Sequence, residues 1–337
     1  MMMFKKVTTL LSLSAVLSMP VQAAPMVWDM PNEYPATSVQ AEGDRYFGEQ
    51  LKRESGGQIE IMHHFGGALG LKSKDQLDAV GDGAVVIANT FIPPLGGIDP
   101  IFLLSSLPFL SSSSEEARLL FEAARPEYER VLEKHNQRLL YASPWPSSGL
   151  WGKQEASTMS AVNGLKMRTY DANGTKVFRN TNSAPIQLSW ADIIPQLSTG
   201  GIEGVLTSIE AGLSASFNDY VSHFTALNYD STINLITMNQ DAWDELSPEQ
   251  QQAVVRAAEQ TETYVWSHID QVVNESYADA RSRGVTVVET VPAEFRDQLK
   301  QAAQPVLEEW VSKMGPKGEQ LLSEYRKALQ QPALAAN

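Results

Sequence analysis

An arginine and several large aromatic residues gather near the ends of segments that read as strands. Arg168 closes Gly164-Leu165-Lys166-Met167-Arg168, Trp145 and Trp151 flank Pro146-Ser147-Ser148-Gly149, and Trp190 follows Leu188-Ser189. In open α/β sheets, ligands sit beyond the carboxyl ends of the strands. An arginine placed there can hold a carboxylate through two parallel hydrogen bonds. Aromatic rings give flat apolar walls and can also cradle a cation. Residue types alone leave a second reading open, in which the tryptophans are core and the arginine is surface.

Other chemistries have less to build on. None of the five histidines forms an i, i+4 pair with a helical glutamate between them, so a histidine zinc site is unsupported. His63-His64 reads as a structural pair at a strand end. The stretch 66–73 falls short of a phosphate loop because Leu71 separates Gly70 from Lys72. There is no Gly-x-Ser-x-Gly elbow. The absence of cysteine excludes disulfides, thiolate zinc sites, iron–sulfur centres and a cysteine nucleophile. Forty acidic residues make chance carboxylate pairs certain, so no acid–base dyad is assigned. Nothing in the sequence demands an enzyme, and no catalytic residue, metal or cofactor is assigned. The formal net charge of −14 argues against nucleic acid, which needs a basic face, and against an anionic membrane surface.

The elements that would position these residues alternate. Residues 38–53 read as a helix stopped by Gly56-Gly57, residues 58–62 alternate as a strand does, and residues 84–88 form a short apolar strand-like run. Ser113-x-x-Glu116 opens a helix, and strands follow at 138–142, 165–170, 204–207 and 234–238. Ser247-Pro248-Glu249-Gln250 starts a helix that continues to about Arg281, long enough to span two lobes. A length of 337 residues suits about two domains. Strand–helix alternation predicts an α/β class with mainly parallel sheets. No linker separates two halves, so the chain is expected to cross between them more than once.

The N-terminus reads as a signal peptide. Lys5 and Lys6 precede a short apolar stretch, then Pro20 and the small-residue pattern Val21-Gln22-Ala23, placing cleavage after Ala23. The apolar run is too short to span a bilayer. Export to a bacterial periplasm, without membrane insertion, is the expectation.

Across the mature chain, motifs in order resemble the solute-binding proteins of the TRAP (tripartite ATP-independent periplasmic) transporters, the DctP-like family. Ser55-Gly56-Gly57-Gln58-Ile59 followed by Phe65-Gly66-Gly67-Ala68-Leu69-Gly70 is similar to the family's early segment. Leu107-Pro108-Phe109-Leu110, Gly164 to Arg168, Gln196 to Gly204 and Leu246 to Gln250 resemble four later ones. The resemblance implies a two-lobed periplasmic-binding-protein fold with multiple crossovers, a long bridging helix, and hinge closure on a ligand. It implies lobe I at 24–145 plus about 233–273, lobe II at 146–232 plus about 274–315, and a C-terminal helix and tail at 316–337. It implies a small-molecule ligand, TRAP permease membrane subunits as partners, and a monomer.

Residue by residue, the resemblance puts Arg168 on the carboxylate anchor and Trp190 where many members have a ligand-packing Phe. Ser148 falls near a second Arg of some members, and Thr207 falls where many have Asn. Val86 stands in place of an Asp, leaving Asn89 as the nearby polar candidate. Asn32, Glu33 and Tyr34 fall in a loop that lines the cleft. With Trp145 and Trp151 as further walls, one arginine without a second suits a small monocarboxylate, aromatic or apolar. The alternative is a small amine or amino acid caged by tryptophans, with Glu33, Glu210 and Asp230 as countercharges. A receptor-docking sensor role and a periplasmic hydrolase are the remaining readings.

Overall fold

The computed structural model describes residues 24–330. The expected signal peptide lies outside them, as does the last part of the expected tail. The chain opens with β1 (Met26–Pro31), α1 (Val39–Glu54), β2 (Ile59–His64), α2 (Ser73–Gly81) and β3 (Ile87–Phe91). Ser38 caps α1 by accepting from the Ala41 amide. β3 is shifted three residues along from the apolar run 84–88, sharing only Ile87 and Ala88 with it. Its next positions are the polar Asn89, buried against Asp44, and the buried Thr90, so hydropathy alone misses them.

After two short helical turns come α3 (Ser114–Lys134), β4 (Gln137–Pro144), β5 (Ser148–Gly152), α4 (Met159–Val162), β6 (Lys166–Thr169) and α5 (Ala172–Asn180). Then follow β7 (Ala184–Gln187), α6 (Ile193–Thr199), β8 (Gly204–Ser208), α7 (Ile209–Ser214), β9 (His223–Thr225) and β10 (Ile233–Asn239). The chain ends with α8 (Gln240–Asp244), α9 (Pro248–Ser282), β11 (Thr286–Val288), α10 (Ala293–Met314) and α11 (Pro316–Gln330). Ser247 and Gln250 form a complete capping box at the start of α9.

The two lobes each hold a sheet system. One has the pair β1-β2 and the sheet β3-β10-β4, bridged through Asn32 and Asn89. The other is six-stranded, in the order β11-β9-β5-β8-β6-β7. The α/β, two-lobed expectation holds, but the sheets are mixed rather than mainly parallel. β10 runs antiparallel to both β3 and β4, and β5 runs antiparallel to both β8 and β9. The reason is topological. The chain leaves the first lobe along β4 into β5 and returns from β9 into β10. Outgoing and returning strands that pair as neighbours must oppose each other.

At 1.5 Å per residue, the 35 residues of α9 reach about 50 Å. The helix packs on α1 and β4 in one lobe and on α7 and β11 in the other. α10 lies on α5 of the second lobe, whereas α11 returns to α3 of the first, inserting Leu321, Leu322 and Tyr325 into its core. No helix among the described residues is long and apolar enough to cross a membrane.

Candidate functional site

The strand ends of both lobes converge on one cavity. Tyr34 follows β1, Phe91 ends β3, Trp145 follows β4, Arg168 is the penultimate residue of β6, Trp190 lies just beyond β7, and Ser208 ends β8. Ser148 begins β5, whose reversed direction brings its amino end to the same place. The cavity therefore lies where an open α/β sheet leaves unpaired strand termini. Thr207, Thr232, Tyr170, Pro146 and Ala211 complete the lining. Together these residues enclose a narrow space between the strand ends of the two lobes.

Arg168 is only 3% exposed. Its Nε donates to the Leu188 carbonyl at 3.0 Å and its Nη1 to the Leu206 carbonyl at 3.2 Å. These bonds tie it to the two neighbouring strand ends and use two of its five N–H donors. No carboxylate among the described residues forms an ion pair with it, and burial lowers its pKa from the ordinary value. It is the one charged side chain lining the inner space, whereas the adjoining mouth, which it also lines, adds Glu33, Lys72 and Lys74. The Tyr170 and Trp190 rings lie 5.5 and 5.9 Å from its guanidinium carbon.

The aromatic wall is continuous across the lobes. The Tyr34 ring is 4.5 Å from Trp145 and 4.9 Å from Trp190, and Trp190 stacks on Phe217 at 5.6 Å. Polar contacts close the seam beside it. Glu33 accepts from the Trp190 amide at 3.2 Å while also accepting from the Ser73 amide and hydroxyl. Lys72 donates to Ser189 and Asp192, each at 3.1 Å. On the opposite flank, Glu210 accepts from the Val39 amide at the start of α1, at 3.0 Å.

Of the residues singled out from sequence, Arg168, Trp190, Thr207, Ser148, Trp145 and Tyr34 line this cavity, and Glu33 sits at its mouth. Five do not line it: Trp151, Asn89, Asp230, Asn32, which bonds Asp44, and Glu210, which bonds Val39. Trp151 is a correction: its side chain is 0% exposed, packed against Phe217, Phe224 and Gly212 in the second lobe's core, with its indole donating to the Ser208 carbonyl. Strand alternation puts it on the opposite face of β5 from Ser148. Asn89 is buried behind the wall, bonded to Asp44 and Asn234. Asp230 is buried behind Tyr170, whose hydroxyl it accepts. Sequence reasoning passed over Tyr170 and Phe91. Tyr170 had a signal, since it stands two residues after Arg168 and strand period brings both to one side. Phe91 had none, because the end of β3 was misplaced.

Four buried carboxyls have pKa values raised chiefly by desolvation: Asp171 to about 6, Asp44 and Asp230 to about 7, and Glu210 to about 8. A carboxyl with a raised folded pKa holds its proton in the native state after the unfolded chain has lost it. Stability then falls as pH rises between the two values. His63, lowered to about 4 by burial, works the other way, but only below its ordinary 6.5. Thermal unfolding is therefore expected to show a midpoint that falls from pH 6.5 to 8.5. Glu210→Gln keeps an acceptor for Val39 and should flatten that fall. An unchanged slope in the variant would refute the assignment to Glu210.

Comparison with known proteins agrees with this architecture. DctP7, a Bordetella pertussis extracytoplasmic solute receptor binding pyroglutamic acid, is 28% identical, with a TM-score of 0.86 over 89% of this chain and 99% of its own. A marine metagenome TRAP solute-binding protein, specific for pyroglutamate, is 26% identical, with a TM-score of 0.85 over 90% of this chain and 99% of its own. The ectoine-binding periplasmic protein TeaA of Halomonas elongata is 22% identical over 77% of this chain and 78% of its own. The model of bacterial extracellular solute-binding protein family 7 matches residues 31–313, and with the two-lobed fold and the strand-end cavity this makes the chain a member of that family.

Proposed function

We propose that this protein captures a small monocarboxylate of the pyroglutamate class between its lobes in the periplasm and delivers it to a TRAP permease, without catalysing a reaction. The observation that carries the reading is Arg168, a buried cation that is the one charge lining the inner cavity. A buried charge needs an ionic or strongly hydrogen-bonded partner, and a ligand carboxylate supplies one. A single cation suits one carboxylate better than two. The hydroxyls of Ser148, Thr207, Ser208 and Thr232 can donate to or accept from a neutral polar group such as a lactam. The carboxylates that could have served an amine do not line the inner cavity: Glu33 bonds Ser73 and Trp190, Glu210 bonds Val39 through one oxygen, and Asp230 bonds Tyr170 through one oxygen. The pyroglutamate-binding structures at 26% and 28% identity support the same ligand class.

The test is a thermal-unfolding screen of the mature chain, stripped of ligand by unfolding and refolding. A ligand at 100 times its Kd adds about 2.7 kcal/mol. Pyroglutamate and similar small monocarboxylates should raise the midpoint. Shifts only with amines or dicarboxylates would overturn the ligand assignment.

A further inference from the structure

Behind the aromatic wall lies a chain of buried side chains that never reaches the cavity surface. Its root is Asp44, on α1 and 1% exposed. One carboxylate oxygen accepts from Asn32 Nδ2 and the other from Asn89 Nδ2, each at 2.6 Å. Each amide then accepts on its far side. Asn32 Oδ1 takes the Tyr34 main-chain N–H at 2.8 Å. Asn89 Oδ1 takes Asn234 Nδ2 at 2.5 Å, and Asn234 Oδ1 takes the Trp145 indole N–H at 2.7 Å. Two arms thus run from one carboxylate to two residues that wall the ligand cavity.

The direction of every bond follows from the ends. An indole N–H and a main-chain N–H can only donate, and an ionised carboxylate can only accept. Between such ends, one set of amide orientations satisfies every group. A neutral acid or an amide at position 44 turns a donor toward Asn32 or Asn89. That amide must then flip or lose its bond, and along the longer arm the mismatch reaches Trp145 as donor against donor. Unsatisfied buried groups of this kind are costly, so the conflict is not tolerated in place.

We propose that ionised Asp44 is a positioning residue for the ligand site, orienting the Trp145 indole through Asn89 and Asn234 and the Tyr34 loop through Asn32. Burial raises the Asp44 carboxyl to about 7, against the lowering effect of Asn32, Asn89 and Arg45. The titratable groups facing it are Arg45 on its own helix and Tyr141 on β4, and Tyr141 in turn feels Glu262 of α9. The two charge states of Asp44 are therefore both accessible near neutral pH, and the order of the wall changes with them.

The experiment reads the Trp145 indole directly and needs no ligand. In an ¹⁵N-indole NMR spectrum, the Trp145 resonance is the one lost in Trp145→Phe. It should titrate near pH 7 in the wild type. In Asp44→Asn it should move and cease to titrate between pH 5.5 and 8.5. Asn234→Leu interrupts the arm while leaving Asp44 in place, and it should abolish the titration too; this serves if Asp44→Asn fails to fold. A Trp145 resonance that still titrates in either folded variant overturns the proposal. The affinity arm rests on the function proposed above, with pyroglutamate as the probe. Asp44→Asn should weaken it at least tenfold, and by less in a Trp145→Phe background. Equal loss in both backgrounds overturns the relay to Trp145. If the wild type binds no pyroglutamate, the ligand reading fails, and the NMR result still decides the role of Asp44.

Discussion

Arg168→Ala is expected to weaken carboxylate binding by about 2–5 kcal/mol, a loss of some 30-fold to over 1,000-fold. The magnitude comes from desolvation. In a closed, apolar-walled cavity the guanidinium–carboxylate contact is little screened by water, and removing one partner leaves the other charge buried without compensation. The variant also loses the bonds to the Leu188 and Leu206 carbonyls, so some loss of fold stability accompanies the loss of affinity. Calorimetric titration above a verified folded baseline separates the two. Arg168→Lys keeps the charge but not the two-pronged geometry, and it should recover only part of the affinity. An Arg168→Ala protein that binds within threefold of the wild type would remove the arginine from the site.

The second large effect is structural. Trp151→Ala should cost about 3–5 kcal/mol of stability, the usual range for emptying a buried aromatic site. At roughly 2 °C per kcal/mol for a protein of this size, that lowers the unfolding midpoint by about 6–10 °C. The side chain is enclosed by Phe217, Phe224 and the close approach of α7 at Gly212, where a Cβ would fall 2.3 Å from the indole. Those neighbours cannot collapse freely into the gap, since α7 also carries Glu210 to its bond with Val39. Affinity per folded molecule should change little. Retained stability with a loss of affinity above tenfold would return Trp151 to the cavity wall.

These two residues show what was legible. Arg168 could be found because the segment reads as a strand and a strand's end is a local property. The same holds for the start of α9, where Ser247, Pro248 and Gln250 act on their own helix turn. The resemblance of ordered motifs added the two-lobed arrangement, which the separate sheet systems and the similar solved structures bear out. The mixed sheets were not legible, because pairing direction depends on where the chain returns, and the returning strands β9 and β10 stand far along the sequence from β5 and β4. Asp44 carried no signal either. It sits in the middle of a helix, and of its partners Asn32 follows the end of β1 while Asn89 lies mid-strand in β3.

The sequence by itself determined the local matters: where helices begin, which segments extend, and that one arginine with aromatic company stands at a strand end. These depend on neighbours within a few residues. The tertiary structure alone decided which tryptophan lines the cavity and which fills a core, which carboxylates are engaged across the lobe seam, and which buried acid lies at the root of the wall. The physical reason is that each of these is a pairing between residues brought together only when the two lobes and their crossing strands have packed.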